Sequence, residues 1–108
     1  MSPRQLGYAT LAVLQALTDG ARYGFDIVDR TGLPSGTVYP ALAALERRSL
    51  VTSRWESDAA ARAEARPRRR YYRVTAEGSR ALREAARRWG ELGLGGLAPV
   101  RDTGPAGS

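Results

Sequence analysis

No cysteine, no histidine and no lysine occurs anywhere in this chain of 108 residues. The first two absences exclude a disulfide framework, a zinc finger, a thiol nucleophile, an imidazole base and the usual transition-metal ligands. Long apolar runs are missing too, since nothing approaches the roughly 20 consecutive apolar residues of a bilayer span. The N-terminus has no basic segment leading into an apolar one, so the cytoplasm is the expected compartment. Carboxylates are few, 11 against 17 cations, and no two recur at a spacing that would converge on a pocket. An enzyme is therefore not expected, nor is a cofactor or a metal.

What is present is arginine, which supplies all 17 cations and a net charge of +6. Ala, Gly, Pro and Arg together make 53 of the 108 residues, with no Asn and one Ile. All four have GC-rich codons, so the choice of Arg over Lys says little about function. Its clustering is different. The twelve residues from Arg62 to Arg73, RAEARPRRRYYR, hold six Arg and one Glu, so +5 of the net charge lies in one short segment. Arginines interleaved with Tyr71 and Tyr72 fit polyanion binding better than evenly spread basicity does.

Apolar residues at Leu6, Val13, Leu14 and Leu17 follow a 3.6-residue period and predict a first helix over 3–17. Thr18-Asp19-Gly20 ends it, Tyr23–Arg30 makes a short second helix, and Thr31-Gly32 stops that one, Gly being favoured just past a helix end. Leu33-Pro34-Ser35-Gly36 then connects to a third helix running to about Arg48, with Ser35 or Gly36 as its N-cap. On this helix Val38, Leu42, Leu45 and Ser49 share one side, while Gly36, Tyr39, Pro40, Ala43 and Arg47 lie opposite. That second side is free of acid and built of small residues, an aromatic and an Arg, so it can lie close against another surface.

Leu50–Glu56 and Arg70–Thr75 alternate as strands and predict an antiparallel hairpin with a mobile tip over 57–69. Alternation puts Tyr72 with Val74 on one face and Tyr71 with Arg73 on the other. Thr75 caps a fourth helix, with Glu77 in its first turn, an apolar stripe of Leu82, Ala86, Trp89 and Leu92, and a Glu84–Arg88 pair. The expected fold is mainly α with a small β-hairpin, a winged helix-turn-helix in the order α-α-α-β-β-α. In that arrangement the third helix enters the major groove of DNA and the hairpin touches the adjacent backbone. Residues 1–75 would form the DNA-binding unit, 76–97 a dimerisation helix and 98–108, rich in Gly and Pro, a disordered tail.

Three segments carry a closer likeness: Tyr23-Gly24-Phe25-Asp26-Ile27, Ser35-Gly36-Thr37-Val38-Tyr39-Pro40-Ala41-Leu42 and Arg69-Arg70-Tyr71-Tyr72-Arg73-Val74-Thr75-Ala76-Glu77-Gly78. Across Leu6–Trp89 the chain resembles the PadR family of transcriptional regulators. The resemblance implies a homodimeric winged-helix repressor that binds double-stranded DNA at a palindromic operator and is released by a small molecule, a small aromatic effector being the kind that such relatives sense. The connection before the third helix is shorter than in many members. With a single C-terminal helix this is the short type, and that helix, together with the first, must make the dimer.

The groove-facing candidates are Ser35, Thr37, Tyr39, Pro40 and Arg47. Hydroxyls and guanidinium reach phosphates or base edges, and Pro40 can meet a thymine methyl. Ser35 serves equally as a helix cap and Tyr39 as packing between the second and third helices. Arg66, Arg68, Arg69 and Arg70 are the candidates for phosphate contact from the wing, with Tyr23 near the DNA backbone at the start of the second helix. Leu82, Ala86, Trp89 and Leu92 are assigned to the dimer interface or to an effector pocket beside it. The competing reading is a winged-helix protein-interaction module without operator binding, which the Arg-rich hairpin argues against.

Overall fold

A computed structural model describes residues 6–91 of the chain. Helix α1 (Tyr8–Thr18) starts after Gly7 rather than at residue 3. It buries Val13, Leu14, Ala16 and Leu17, the positions that recur once per turn. Helix α2 (Gly24–Thr31) ends on Gly32, whose left-handed backbone (φ 75°) lets its amide return to the Val28 carbonyl at 2.9 Å. The Thr31 hydroxyl donates to the Ile27 carbonyl (2.7 Å) and accepts from the Leu33 amide (3.1 Å), which fixes the short connection to the next helix.

Helix α3 (Ser35–Arg47) is capped by the extended Pro34, whose carbonyl accepts from the Thr37 and Val38 amides. Ser35 is thus the first helical residue and not the N-cap, and no side chain caps this helix. Val38, Leu42 and Leu45 are fully inaccessible and meet Val13 and Leu14 of α1 and Ile27 of α2 in one cluster. Each such side chain contributes about 1.5–3 kcal/mol by leaving water, so this cluster holds the three helices together.

Strands β1 (Val51–Trp55) and β2 (Arg70–Val74) pair antiparallel, Val51 opposite Val74 and Trp55 opposite Arg70. Val51 is buried, and Tyr72 and Val74 pack against the helical core as the alternation requires. The outer edge of β2 is covered in part, because Tyr23 bridges Tyr71 and the Tyr72 amide donates to the Arg22 carbonyl at 2.8 Å. Between the strands the chain is not a bare loop. It forms helix α4 (Asp58–Ala63), N-capped by the Ser57 hydroxyl, which accepts from the Ala60 amide at 3.1 Å.

Helix α5 (Ala76–Glu91) is the fourth helix expected from the periodicity. Thr75 caps it as expected, its hydroxyl accepting from the Gly78 amide (3.0 Å) and donating to the Ser49 carbonyl (2.8 Å). Gly78 is buried against the backbone of Leu50, so close that a Cβ there would overlap the Leu50 carbonyl oxygen. Leu82 packs on the core, and Glu84 pairs with Arg87 rather than with Arg88. The Trp89 side chain, Leu92 and the rest of the expected helix to residue 97, and the tail, lie outside the described residues. The architecture is the winged helix-turn-helix in the order expected, with α4 added at the tip of the hairpin.

Candidate nucleic-acid interface

The outward side of α3 presents Ser35, Gly36, Tyr39, Pro40, Ala43 and Arg47, all exposed, while Thr37 is half-buried. No acidic residue lies in the first turn, so the positive end of the helix is left uncompensated. Tyr39 is 48% exposed, yet its ring also covers Gly24, where any Cβ would strike it. The glycine of the Tyr23-Gly24-Phe25 segment is what lets α2 and the Tyr39 ring approach. Tyr39 therefore packs between α2 and α3 and keeps an open edge.

The hairpin cations differ sharply in how they are held. Arg66 is committed to Glu56, its two terminal nitrogens donating to the carboxylate at 2.6 and 2.9 Å. Glu56 is only 7% exposed and also accepts from the Arg69 amide (3.1 Å) and the Tyr71 hydroxyl (3.3 Å). The Arg66 hydrogen bonds hold its carboxyl down at about 2, with the Arg69 amide and the Tyr71 hydroxyl adding to the effect against the opposing cost of burial. The same pairing raises the Arg66 guanidinium above its ordinary value. Arg66 thus fastens the tip through Glu56.

Arg68 and Arg70 are looser. Arg68 donates to the Glu56 carbonyl at 3.0 Å and approaches Asp58 at 3.4 Å; Arg70 donates to the Ser53 hydroxyl at 3.0 Å and to Glu46 at 3.5 Å. Both stack on Trp55, each 5.3 Å from the ring centroid, and this Trp is 53% exposed. Ion pairs this exposed contribute about 0–1 kcal/mol and exchange readily for another anion. Arg69 lies 4.0 Å over the Tyr23 ring, so Tyr23 is a platform for a wing cation.

The opposite face of the hairpin carries Arg73 from the charged segment together with two cations, Arg22 and Arg54, that lie outside it. Arg22, Arg54 and Arg73 line one groove of about 270 Å³ together with Thr52 and Tyr71. Arg22 and Arg54 lie 4.8 and 5.4 Å from the centre of the Tyr71 ring, and Tyr23 meets that ring edge-on at 5.9 Å. The strand alternation held the signal for Arg54 and Arg73; Arg22 joins them only through the bridge to β2. Among the described residues no group of three or more Asp, Glu, His or Cys is placed to hold a metal ion.

The family model described as "Transcriptional regulator PadR-like family" matches residues 13–84. The chain belongs to this family. Solved PadR structures share its fold. A PadR family transcription regulator from Clostridium difficile R20291 is 26% identical with a TM-score of 0.70, covering 81% of this chain and 92% of that one. One from Eggerthella lenta DSM 2243 is 33% identical with a TM-score of 0.65, covering 82% and 79%. A PadR-like transcription factor from Bacteroides fragilis is 28% identical with a TM-score of 0.65, covering 78% and 82%. A comparison with curated protein sequences finds no match. As a PadR-family member the protein is a DNA-binding transcriptional regulator and not an enzyme. No helix among the described residues is long and apolar enough to cross a membrane.

Proposed function

We propose that this PadR-family regulator acts as a homodimeric repressor that binds a palindromic operator through two copies of α3 and is released by a small-molecule effector. The observation that carries the reading is the outward side of α3, where Ser35, Tyr39, Pro40 and Arg47 are exposed around small residues with no carboxylate in the first turn. Such a side approaches base edges closely and donates hydrogen bonds to them. Arg68, Arg69 and Arg70, which surround Trp55 and Tyr23, supply phosphate contacts that set the register of the helix. Residues 6–75 serve as the reading head and α5 as the dimer helix, packed beside α1.

Footprinting of the region upstream of its own gene, followed by binding to the protected fragment across a salt series, tests the proposal. Changing Arg68, Arg69 and Arg70 together to Ala is expected to weaken binding to every duplex and to flatten the salt dependence by about 0.9 in slope for each phosphate no longer neutralised. Tyr39→Phe or Thr37→Ala is expected to erode preference for the operator while leaving that slope alone. Equal affinity of parent and triple variant for the fragment refutes the wing assignment. A small aromatic effector held near the dimer axis beside Trp89 is tested by fluorescence in a Trp55→Phe background. No spectral response to any compound that relieves repression removes that part of the reading.

A further inference from the structure

The groove on the outer face of the hairpin gathers three guanidinium groups from three separate segments: Arg22 from the α1–α2 connection, Arg54 from β1 and Arg73 from β2. Among the described residues none of them forms an ion pair, whereas Arg30, Arg66, Arg68, Arg70 and Arg87 each face a carboxylate. The hairpin is thus divided electrostatically. Its tip is partly neutralised by Glu56, Asp58 and Glu46, while the groove is left with an uncompensated charge of +3. Like charges lining one groove repel one another, and an anion seated among them removes that penalty.

The groove is also built in advance. Arg22 and Arg54 both lie over the Tyr71 ring, the Tyr71 hydroxyl is tied to Glu56 at 3.3 Å, and the Arg22 carbonyl is tied to the Tyr72 amide at 2.8 Å. Strand register places Thr52 opposite Arg73 and Arg54 opposite Tyr71. Planar guanidinium forks matched to tetrahedral oxyanions and held by stacking lose little freedom when they bind.

We propose that this groove is a phosphate seat, distinct from the outward side of α3 and from the Trp55 side of the hairpin. The phosphate comes either from a DNA backbone or from a free phosphorylated compound. With DNA as the source, the seat deepens the operator reading and rests on it; with a free phosphate it stands alone. Two probes separate the sources. Inorganic pyrophosphate is titrated into the full-length protein by calorimetry, and a mixed-sequence duplex is bound over a salt series.

The Arg54→Gln/Arg73→Gln double variant is expected to lose pyrophosphate affinity by about tenfold or more if the seat takes free phosphate. If it takes the DNA backbone, the duplex slope is expected to fall by about 0.9 for each phosphate released. A variant indistinguishable from the parent with both probes overturns the seat. Should the double variant not fold, Arg73→Gln alone, which breaks no ion pair, carries the same readouts. The operator reading is scored separately, by the ratio of affinities for the footprinted and mixed-sequence duplexes, so either can fail without the other.

Discussion

Replacing Gly78 by alanine ought, by helix propensity alone, to stabilise the protein, because alanine is favoured over glycine inside a helix by about 1 kcal/mol. The structure reverses that sign. A Cβ at this position would overlap the Leu50 carbonyl oxygen and press on Val74 at 2.8 Å. The obstacle is backbone and cannot swing aside, so α5 must withdraw. Overpacking of this kind costs about 1–3 kcal/mol. Withdrawal also pulls on two hydrogen bonds at the same corner, the Thr75 amide to the Leu50 carbonyl (3.0 Å) and the Thr75 hydroxyl to the Ser49 carbonyl (2.8 Å). At about 1 kcal/mol each, and after the propensity gain, Gly78→Ala is expected to destabilise by about 2–4 kcal/mol. For a domain of this size that lowers Tm by roughly 10–25 °C. Thermal melts of parent and variant at equal protein concentration check it, the concentration being matched because association shifts Tm. A variant as stable as the parent, or more so, would refute the claim that Gly78 sets the approach of α5 to the reading head.

Other predictions rest on the same geometry. Gly24→Ala meets a half-exposed ring instead of backbone, so the fold is expected to survive while Tyr39 is displaced; operator preference should fall with the salt slope unchanged, and an unaltered preference would remove Tyr39 from the reading surface. Glu56 has its carboxyl depressed from 4.5 to about 2 in the folded chain, so its stabilising effect is complete above pH 4.5 and is lost as the pH falls toward 2. Trp55 fluorescence should report this acid transition in the parent, and Glu56→Gln should abolish the step and loosen the tip at neutral pH. Leu42→Ala, at a fully inaccessible core position, is expected to cost about 2–5 kcal/mol in a urea melt, and a smaller loss would mean the three helices are held elsewhere.

The helical part of the fold was legible because its signals are local. Periodicity marked Val13, Leu14, Leu17, Val38, Leu42 and Leu45, and Gly32 and Thr75 marked an end and a beginning by their backbone roles. Helix α4 was missed because Ala59–Ala65 has no apolar period to read. Its start signal, Ser57 followed by Asp58 in the first turn, was nonetheless present. Glu56 was illegible for a different reason. Strand alternation places it on the solvent side with Thr52 and Arg54, and the return of the chain across the tip brings Arg66, the Arg69 amide and the Tyr71 hydroxyl onto it. Counting charges likewise treated all the wing arginines alike, whereas partners ten or more residues away separate the anchored Arg66 from the exchangeable Arg68 and Arg70.

The capped and clamped hairpin tip also bears on the thermodynamics of DNA association. A wing that is a floppy loop loses its chain entropy on the DNA, with a large negative heat-capacity change and a penalty subtracted from affinity. Here α4, the Ser57 cap and the Glu56–Arg66 clamp remove that freedom during folding, before DNA is met. With the hairpin as the proposed DNA-contacting wing, encounter is governed by electrostatic steering of a shaped, cationic surface, and differences between target sites are expected to fall mainly on how long the complex lasts.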